Sequence, residues 1–267
     1  MVWPYVLASV GALAAFLVAW GWLEAGWVRL RVLGVEVPGL PPALDGLRLV
    51  HLSDLHLGLP SRGERAVRRA VEWTALRSPD LVAVTGDLIS RRRGEPLLRE
   101  LVERLPACYC ILGNHDLALG RDPLSQPVEL EDLAPATLLL DEGRMIEIRG
   151  CRVWVAGLDP RSRGREPDLG HPADLSILLS HFPSVLDRLR PGSFHLVLAG
   201  HMHDGQICLP YPGGKLRLAH PRARYARGLY RRGQTVMHVS PGLGTTFLPL
   251  RFLARPEATE LVLRPAS

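Results

Sequence analysis

Two patterns of hydrophobic positions divide the chain. The first 23 residues carry no charged side chain, whereas from Leu47 onward short apolar runs rich in β-branched residues alternate with amphipathic segments. A helix made of the first pattern would extend roughly 35 Å, which is enough to cross the hydrocarbon layer of a bilayer. The second pattern predicts a layered α/β domain, in which helices pack on sheets.

The aromatic residues support a membrane-spanning amino-terminal helix. Trp3 and Tyr5 lie near one end of the apolar segment, and Trp20, Trp22 and Trp27 lie near the other, as expected of rings that settle at both lipid interfaces. The alternatives are a cleaved signal peptide and a buried core helix. A signal peptide would begin with basic residues, and this segment offers only its α-amino group. We therefore expect a retained, single-pass anchor over residues 1–23.

The charges beside this segment predict its orientation. Arg29 and Arg31 follow it closely and no basic side chain precedes it. Because basic flanks favour the cytoplasmic side, we expect a cell-membrane protein whose large domain lies in the cytoplasm, although long domains cross membranes largely regardless of charge. Residues 24–45, which include several prolines, are expected to form a linker. A single domain is then expected over residues 46–267.

Apolar runs within the large domain predict its strands. The predicted strands are residues 47–52, 81–85, 108–112, 151–156, 175–179, 194–199 and 236–239. Residues 64–76 space their apolar positions along one side, which indicates a surface helix on a sheet. The short runs 138–140, 145–148 and 151–155 are separated by turn residues, and they predict a small antiparallel meander.

Arginine supplies almost all of the positive charge in this chain. The formal net charge is +5, and Lys215 is the only lysine. Base composition of the genome could produce this excess, or the guanidinium groups could attract phosphate or anionic lipid. The arginines are dispersed and are not interleaved with aromatic residues, which argues against nucleic acid as a partner.

The cysteines do not indicate a metal site. Cys108, Cys110, Cys151 and Cys208 lack zinc-finger spacing, and their number alone does not establish a disulfide. We expect them to be buried small hydrophobes. Cys108 and Cys110 flank one residue of a predicted strand, so both should face the core from one side of the sheet.

Metal-capable side chains follow five of the predicted strands directly. Carboxylate and amide oxygens together with imidazole nitrogens suit manganese, iron or zinc, whereas a set of oxygens alone would suit magnesium or calcium. A single Gly-Asp is usually a turn and a single histidine is usually structural, but five such clusters at strand ends are an improbable coincidence. In chain order the clusters are Asp54-Leu55-His56, Gly86-Asp87, Gly113-Asn114-His115-Asp116, Ser180-His181 and Gly200-His201-Met202-His203.

This ordered set resembles the calcineurin-like metallophosphoesterase superfamily. Within it, the chain is similar to the membrane-associated bacterial phosphodiesterase branch, which includes hydrolases of UDP-2,3-diacylglucosamine. The narrower resemblance rests on the anchor, on Gly205-Gln206 and on two motifs near the carboxyl end, residues 225–230 and 239–245. It implies a four-layer α/β/β/α sandwich and a hydrolase that depends on two divalent metal ions.

The resemblance also implies a role for each motif residue. It assigns one metal to Asp54, His56, Asp87 and His203, and a second metal to Asp87, Asn114, His181 and His201. Asp87 would bridge the pair, and this fits the need of two neighbouring dications for a shared anion. A hydroxide held between the ions would attack phosphorus in line with the leaving group.

Three residues near the motifs carry further expectations. By resemblance, His115 protonates the leaving oxygen or stabilises the charge that develops there; its alternative role is to support the loop. Asp116 orients His115 or orders the loop, and both possibilities stay open. Asp204 stands where the branch commonly has glycine. Its charge could weaken phosphate binding or change specificity, although aspartate tolerates left-handed backbone geometry.

Two groups of arginines carry further expectations. Arg91-Arg92-Arg93 follows the Asp87 motif and could meet a phosphate, a nucleotide or the membrane surface, and a solvated charged run is the alternative explanation. Arg161, Arg163 and Arg165 occupy a loop rich in glycine and proline that could form a mobile cap.

The predicted function is metal-dependent hydrolysis of a phosphodiester or a pyrophosphate. An anchor would confine the enzyme to the plane of its substrate, so the expected substrate is lipid-linked or lies at the membrane surface, as in lipid metabolism. One alternative is a nuclease or cyclic-nucleotide phosphodiesterase, because the same pair of metals cuts many phosphodiesters. Another is a membrane-anchored metal-binding protein without catalytic activity.

Overall fold

The computed structural model describes residues 2–119, 122–128, 130, 132–162, 169 and 171–266. Within these residues, three α-helices and fourteen strands form the fold. The helices are α1 (Trp3–Ala25), α2 (Gly63–Arg77) and α3 (Glu95–Val102). The first seven strands are β1 (Arg29–Val37), β2 (Arg48–Leu52), β3 (Leu81–Thr85), β4 (Cys108–Ile111), β5 (Thr137–Leu138), β6 (Glu142–Ile148) and β7 (Cys151–Gly157). The others are β8 (Leu175–Ser180), β9 (Leu196–Ala199), β10 (Cys208–Tyr211), β11 (Gly214–Arg217), β12 (Gly228–Arg232), β13 (Thr235–Val239) and β14 (Glu257–Pro265).

Two six-stranded sheets dominate the described part of the chain. The first has the order β1-β14-β2-β3-β4-β5, and the second has the order β12-β13-β9-β8-β7-β6. Strands β2 to β5 run parallel, as do β7, β8, β9 and β13. A separate antiparallel hairpin joins β10 to β11. The carboxyl ends of the parallel strands carry the motifs, so the fold gathers them at one edge of the sheets.

Alternation along the strands builds one core between the sheets and another beneath the helices. In β3, Leu81 and Ala83 face the second sheet, whereas Val82 and Val84 pack against α2 and α3. Burial of both faces explains why this strand is a continuous apolar run. Cys108 and Cys110 lie together in the helix-side core, as predicted, and all four cysteines are free thiols.

The layered α/β fold is therefore confirmed, with one difference in its fourth layer. On the outer face of the second sheet, Val185 and Leu186 of a short 3-10 helix, Pro183–Asp187, pack against the sheet residues Leu178 and Val197. Within the described residues, this short 3-10 helix and its flanking coil stand where the four-layer prediction expects α-helices.

The segment predicted to be a linker, residues 24–45, is part of the fold instead. Its central residues form β1, which pairs in parallel with β14 at the edge of the first sheet. The linker prediction was wrong because it relied on the prolines of this segment, which lie after the strand and not within it. The domain therefore begins close to the end of α1.

The predicted meander also differs from the structure. Thr137–Leu138 pairs in parallel with β4 in the first sheet, so only β6 and β7 form the expected antiparallel pair. Local turn residues identified the break between strands correctly but could not indicate which sheet each strand joins.

Helix α1 is long and apolar enough to cross a membrane, the one such helix among the described residues. Most of it is exposed, and only Gly21, Glu24 and Ala25 are buried. A core helix would be buried along its length, so the structure argues against that alternative. The buried end packs on the domain: Ala254 N–H donates to Glu24 Oε1 at 2.8 Å, and Arg251 N–H donates to Gly21 O at 3.0 Å.

Candidate metal centre

Loops after five strands bring the predicted ligands together. Asp54 and His56 follow β2, Asp87 follows β3, Asn114 follows β4, His181 follows β8, and His201 and His203 follow β9. Several of these residues adopt left-handed backbone conformations, which cost a non-glycine residue free energy and often mark functional sites. Those with positive φ are Asp54, His56, Asp87, His201 and His203.

Asp87 lies at the centre of the cluster. Its Oδ2 atom lies 3.4 Å from His56 Nε2 and 3.3 Å from His181 Nε2. Oδ1 accepts the backbone N–H of His115 at 2.8 Å. Oδ2 is buried and has no hydrogen-bond partner among the described residues. A buried, unpartnered carboxylate oxygen is costly unless a cation neutralises it, so this atom fits a position between two metal ions.

The remaining side chains divide into two groups around Asp87. On one side, His203 Nε2 lies 3.2 Å from His56 Nε2 and 3.4 Å from Asp54 Oδ1. The potential ligand atoms of this group all lie within 4.8 Å of one another. It consists of Asp54, His56, Asp87 and His203.

The second group surrounds His181. Its Nε2 atom lies 3.0 Å from Asn114 Oδ1 and 3.2 Å from His201 Nδ1. Asp87, His181 and His201 likewise bring their ligand atoms within 4.8 Å of one another. The two groups share Asp87, which is the division that the resemblance implies.

Outer contacts fix the orientation of the imidazole rings. His181 Nδ1 donates to Thr85 O at 2.9 Å; because a carbonyl can only accept, this leaves Nε2 free for a cation. His56 Nδ1 likewise lies 2.8 Å from Ser90 Oγ, which can accept its proton. Arg251 Nη2 lies 3.1 Å from His203 Nδ1. The rings of His56 and His181 therefore present Nε2 to the cluster with Nδ1 already held.

The electrostatics of the cluster favour cations. Burial lowers the pKa of His56 well below its ordinary value and that of His201 to about 3, which keeps both rings in the neutral form that binds metals. Burial alone would lower the pKa of His181, but the neighbouring Asp87 carboxylate outweighs it and raises this pKa to about 9. In the metal-free protein a proton therefore takes the place that a cation would occupy.

Comparison with known proteins agrees with this geometry. Residues 47–205 match the family model described as calcineurin-like phosphoesterase. That span covers more than half of the chain and contains every motif residue of the cluster. The chain belongs to the calcineurin-like phosphoesterase family.

Three relatives of this phosphoesterase align over most of its length. YkuE of Bacillus subtilis, an uncharacterized metallophosphoesterase, is 31% identical and covers 97% of this chain and 96% of its own. A Danio rerio transmembrane protein with a metallophosphoesterase domain is 33% identical, over 88% of this chain and 58% of its own. The phosphodiesterase YaeI of Escherichia coli is 27% identical, over 91% of this chain and 89% of its own.

His115 reaches the cluster from the β4 loop of the phosphoesterase. Its Nε2 atom lies 4.0 Å from Asp87 Oδ2, and its Nδ1 atom lies 2.6 Å from Ser125 Oγ. Ser125 Oγ in turn donates to Asp122 Oδ2 at 3.4 Å. No motif in the sequence marks Asp122 or Ser125, because their alignment with His115 depends on how the loop folds.

The structure distinguishes the two roles considered for Asp116. Its carboxylate is buried and accepts the backbone N–H groups of Leu88, Ile89 and Gly113 at 3.1, 2.8 and 2.7 Å. Asp116 therefore ties the β3 loop to the β4 loop, and its described contacts lie on the backbone and not on His115.

Asp204 is buried and pairs with three cationic side chains. Its carboxylate accepts hydrogen bonds from Lys215, Arg217 and Arg227, and its φ of 51° is left-handed. Cationic neighbours thus balance the charge that could have repelled a phosphate. This pairing was not visible in the sequence, because the partners lie in β11 and in the segment before β12.

A cavity of about 410 Å³ opens beside the cluster. Asp87, Asn114 and His115 of the cluster line it, and so do the apolar side chains of Phe247 and Leu248. Three of the arginines considered above make other contacts: Arg91 donates to Leu124 O and Arg93 to Gly58 O, and Arg161 pairs with Asp159. Arg163 and Arg165 lie outside the described residues.

Proposed function

We propose that this phosphoesterase uses two divalent metal ions to hydrolyse a phosphodiester or pyrophosphate in a lipid-linked or membrane-surface substrate. The observation that carries the proposal is the unpartnered Oδ2 atom of Asp87, which is shared by two groups of ligand atoms and belongs to a residue that lines a cavity. Manganese, iron or zinc suits this mixed set of oxygen and nitrogen donors.

We assign the metal-holding roles to the two groups that the geometry defines. Asp54, His56, Asp87 and His203 would hold one ion, and Asp87, Asn114, His181 and His201 would hold the other. When bound, such a pair lowers the pKa of water and neutralises phosphoryl oxygens. The fixed outer contacts of the rings keep the donor atoms oriented between turnovers.

His115 would act on the leaving group. Its Nδ1 atom lies beside Ser125 and Asp122, and the residue lines the cavity. These contacts orient the ring, and from that position it can donate a proton to the oxygen that departs from phosphorus.

The membrane assignment rests on α1. Its exposed apolar surface suits a lipid environment, and its docked carboxyl end supports retention of the helix in the mature protein. Arg29 and Arg31 immediately after it support a cytoplasmic catalytic domain. The cavity wall beside the cluster includes Ile207, Phe247 and Leu248, which supports a substrate with an apolar part.

The proposal is tested with full-length protein purified in detergent. We expect manganese-dependent hydrolysis of bis(p-nitrophenyl) phosphate that Asp87→Asn abolishes, because the amide cannot bridge two cations. His115→Ala should reduce kcat by a factor of about 10²–10⁴, the usual contribution of a general acid. His171→Ala is the matched control, because His171 is exposed and stacks on Trp154.

Two further measurements separate the alternatives. If wild-type protein binds two metals but hydrolyses neither this ester nor UDP-2,3-diacylglucosamine, it is a binding protein and the enzymatic proposal fails. If it hydrolyses cyclic nucleotides or single-stranded DNA faster than any lipid-linked ester, the lipid assignment fails while the metal chemistry stands.

A further inference from the structure

The β10–β11 hairpin exposes a hydrophobic face. Its register places Leu209 directly opposite Leu216, so these side chains share one face, and Tyr211, two positions from Leu209, lies on that face as well. Leu209, Tyr211 and Leu216 are 47%, 56% and 49% exposed. The hairpin therefore presents a row of large apolar side chains to its surroundings.

The opposite face of the same hairpin carries its charges, and these point into the protein. Lys215 and Arg217 both donate to Asp204, which is fully buried. Cys208, on this face as well, is buried. An antiparallel hairpin on a surface in water has its apolar face inward and its polar face outward. This hairpin has the reverse arrangement, which suits an apolar environment.

Residues of the loop at positions 246–254 continue the exposed apolar surface. Phe247, Leu248 and Leu253 are 54%, 51% and 43% exposed. The loop is tied to the hairpin, because Cys208 N–H donates to Phe252 O and Lys215 Nζ donates to Leu253 O, both at 2.8 Å. We name this surface the apolar rim. It consists of Leu209, Tyr211, Leu216, Phe247, Leu248 and Leu253.

The last turn of α1 is attached to the same loop. The hydrogen bonds to Gly21 O and Glu24 Oε1 come from the backbone of Arg251 and Ala254. Arg255 stacks on Trp27 with its guanidinium carbon 4.0 Å from the ring centre. The apolar rim and the end of the membrane-spanning helix are therefore parts of one continuous, hydrogen-bonded surface.

We propose that the apolar rim inserts into the interfacial layer of the bilayer that α1 spans. Large exposed apolar patches on soluble surfaces are rare and mark interaction sites, and continuity with α1 identifies the lipid bilayer as the occupant. Phe247 and Leu248 also line the cavity, together with Ile207 and Leu218, which flank the hairpin at its open end. Because the rim and the cavity share these residues, the cavity would adjoin the lipid surface.

This arrangement defines the substrate class more closely. A phosphodiester or pyrophosphate with an apolar tail can leave the tail in the lipid layer while its phosphorus reaches the metal centre. The inference rests on the proposed function in two respects: that α1 spans the membrane and that the metal centre hydrolyses a phosphodiester or pyrophosphate. Docking of the rim itself can be measured without any turnover, so its failure is distinguishable from failure of the enzymatic proposal.

The test places a fluorescent label on the rim of the full-length chain, reconstituted in vesicles of phosphatidylcholine and phosphatidylglycerol. Leu216→Cys is introduced in a Cys151→Ser background, because Cys108, Cys110 and Cys208 are buried. Leu76→Cys is the matched control, since Leu76 on α2 is an exposed leucine outside the rim. Quenching by doxyl-labelled lipid and by aqueous iodide is then compared.

We expect doxyl lipid to quench the label at position 216 strongly and iodide to quench it weakly. At position 76 we expect strong quenching by iodide and weak quenching by doxyl lipid. Iodide quenching of equal strength at both positions overturns the proposal. Protection at position 216 from both quenchers also overturns it, because a second copy of the chain or another protein then covers the rim.

Discussion

The Nδ1 atom of His115 lies 2.6 Å from the hydroxyl oxygen of Ser125. This contact connects the proposed general acid to Asp122, because Ser125 donates onward to that buried carboxylate. The three side chains belong to the same loop region after β4, and none of them except His115 contacts Asp87.

Ser125→Ala should therefore reduce turnover without releasing metal. Loss of one hydrogen bond costs about 1 kcal/mol, which corresponds to a reduction in kcat of about fivefold. Steady-state kinetics with bis(p-nitrophenyl) phosphate give kcat, and elemental analysis gives metal content. Ser125→Thr keeps the hydroxyl and should restore most of the rate. A parallel loss of bound metal would show that Ser125 supports the metal centre and not His115.

Asp116→Asn should destabilise the fold. The carboxylate accepts three backbone N–H groups, and the amide has one acceptor oxygen, so at least one buried donor loses its partner. We expect the free energy of unfolding to fall by about 1–3 kcal/mol. Denaturant titration measures the change, with Asp174→Asn as the control, because Asp174 is partly exposed and accepts a single backbone N–H, from Arg152. Equal loss in both variants would contradict this role.

Metal binding should release protons. The Asp87 carboxylate raises the pKa of His181 to about 9 in the metal-free protein, despite burial. Below that pH the ring carries a proton that must leave before Nε2 can hold a cation, so manganese affinity should fall as the pH is lowered from 9. Calorimetric titration in two buffers of different ionisation enthalpy detects the released protons. A binding enthalpy that is independent of the buffer would refute the prediction.

Glu260 should stabilise the folded state at neutral pH and lose this effect in acid. Burial alone would raise its pKa, but hydrogen bonds and charge from Arg77 and Arg48 outweigh burial and hold this pKa below its ordinary value. The folded state thus favours the ionised form, and its contribution is present above pH 4.5 and is lost as the pH falls further. Glu260→Gln should lower the free energy of unfolding by about 1–3 kcal/mol at pH 7. The difference from wild type, measured by denaturant titration, should shrink below pH 4.5; a constant difference would contradict this account.

Local sequence was sufficient to predict the motif loops. Each candidate ligand follows an apolar run directly, and parallel strands bring their carboxyl ends to one edge of a sheet, so the sequence alone places Asp54, Asp87 and Asn114 together. The strand β3 was predicted to the residue, because burial on both faces leaves a continuous apolar run between polar ends.

Partners distant in sequence could not be predicted in this way. Strand β1 forms by pairing with β14, and nothing in the sequence of either segment indicates this pairing. The neutralisation of Asp204 depends on Lys215 and Arg217, which reach it only because the hairpin turns its charged face inward. Periodicity identifies an apolar face in a strand but does not indicate whether that face meets protein, water or lipid.

The position of β14 also constrains the order of assembly. This strand lies between β1 and β2 in the first sheet, yet the ribosome makes it after all the other described strands. During synthesis β1 and β2 each keep an open edge that awaits a partner, and pairings between such distant segments form slowly. If α1 enters the bilayer as it is made, the emerging chain holds both open edges close to the membrane until the final strand closes the sheet.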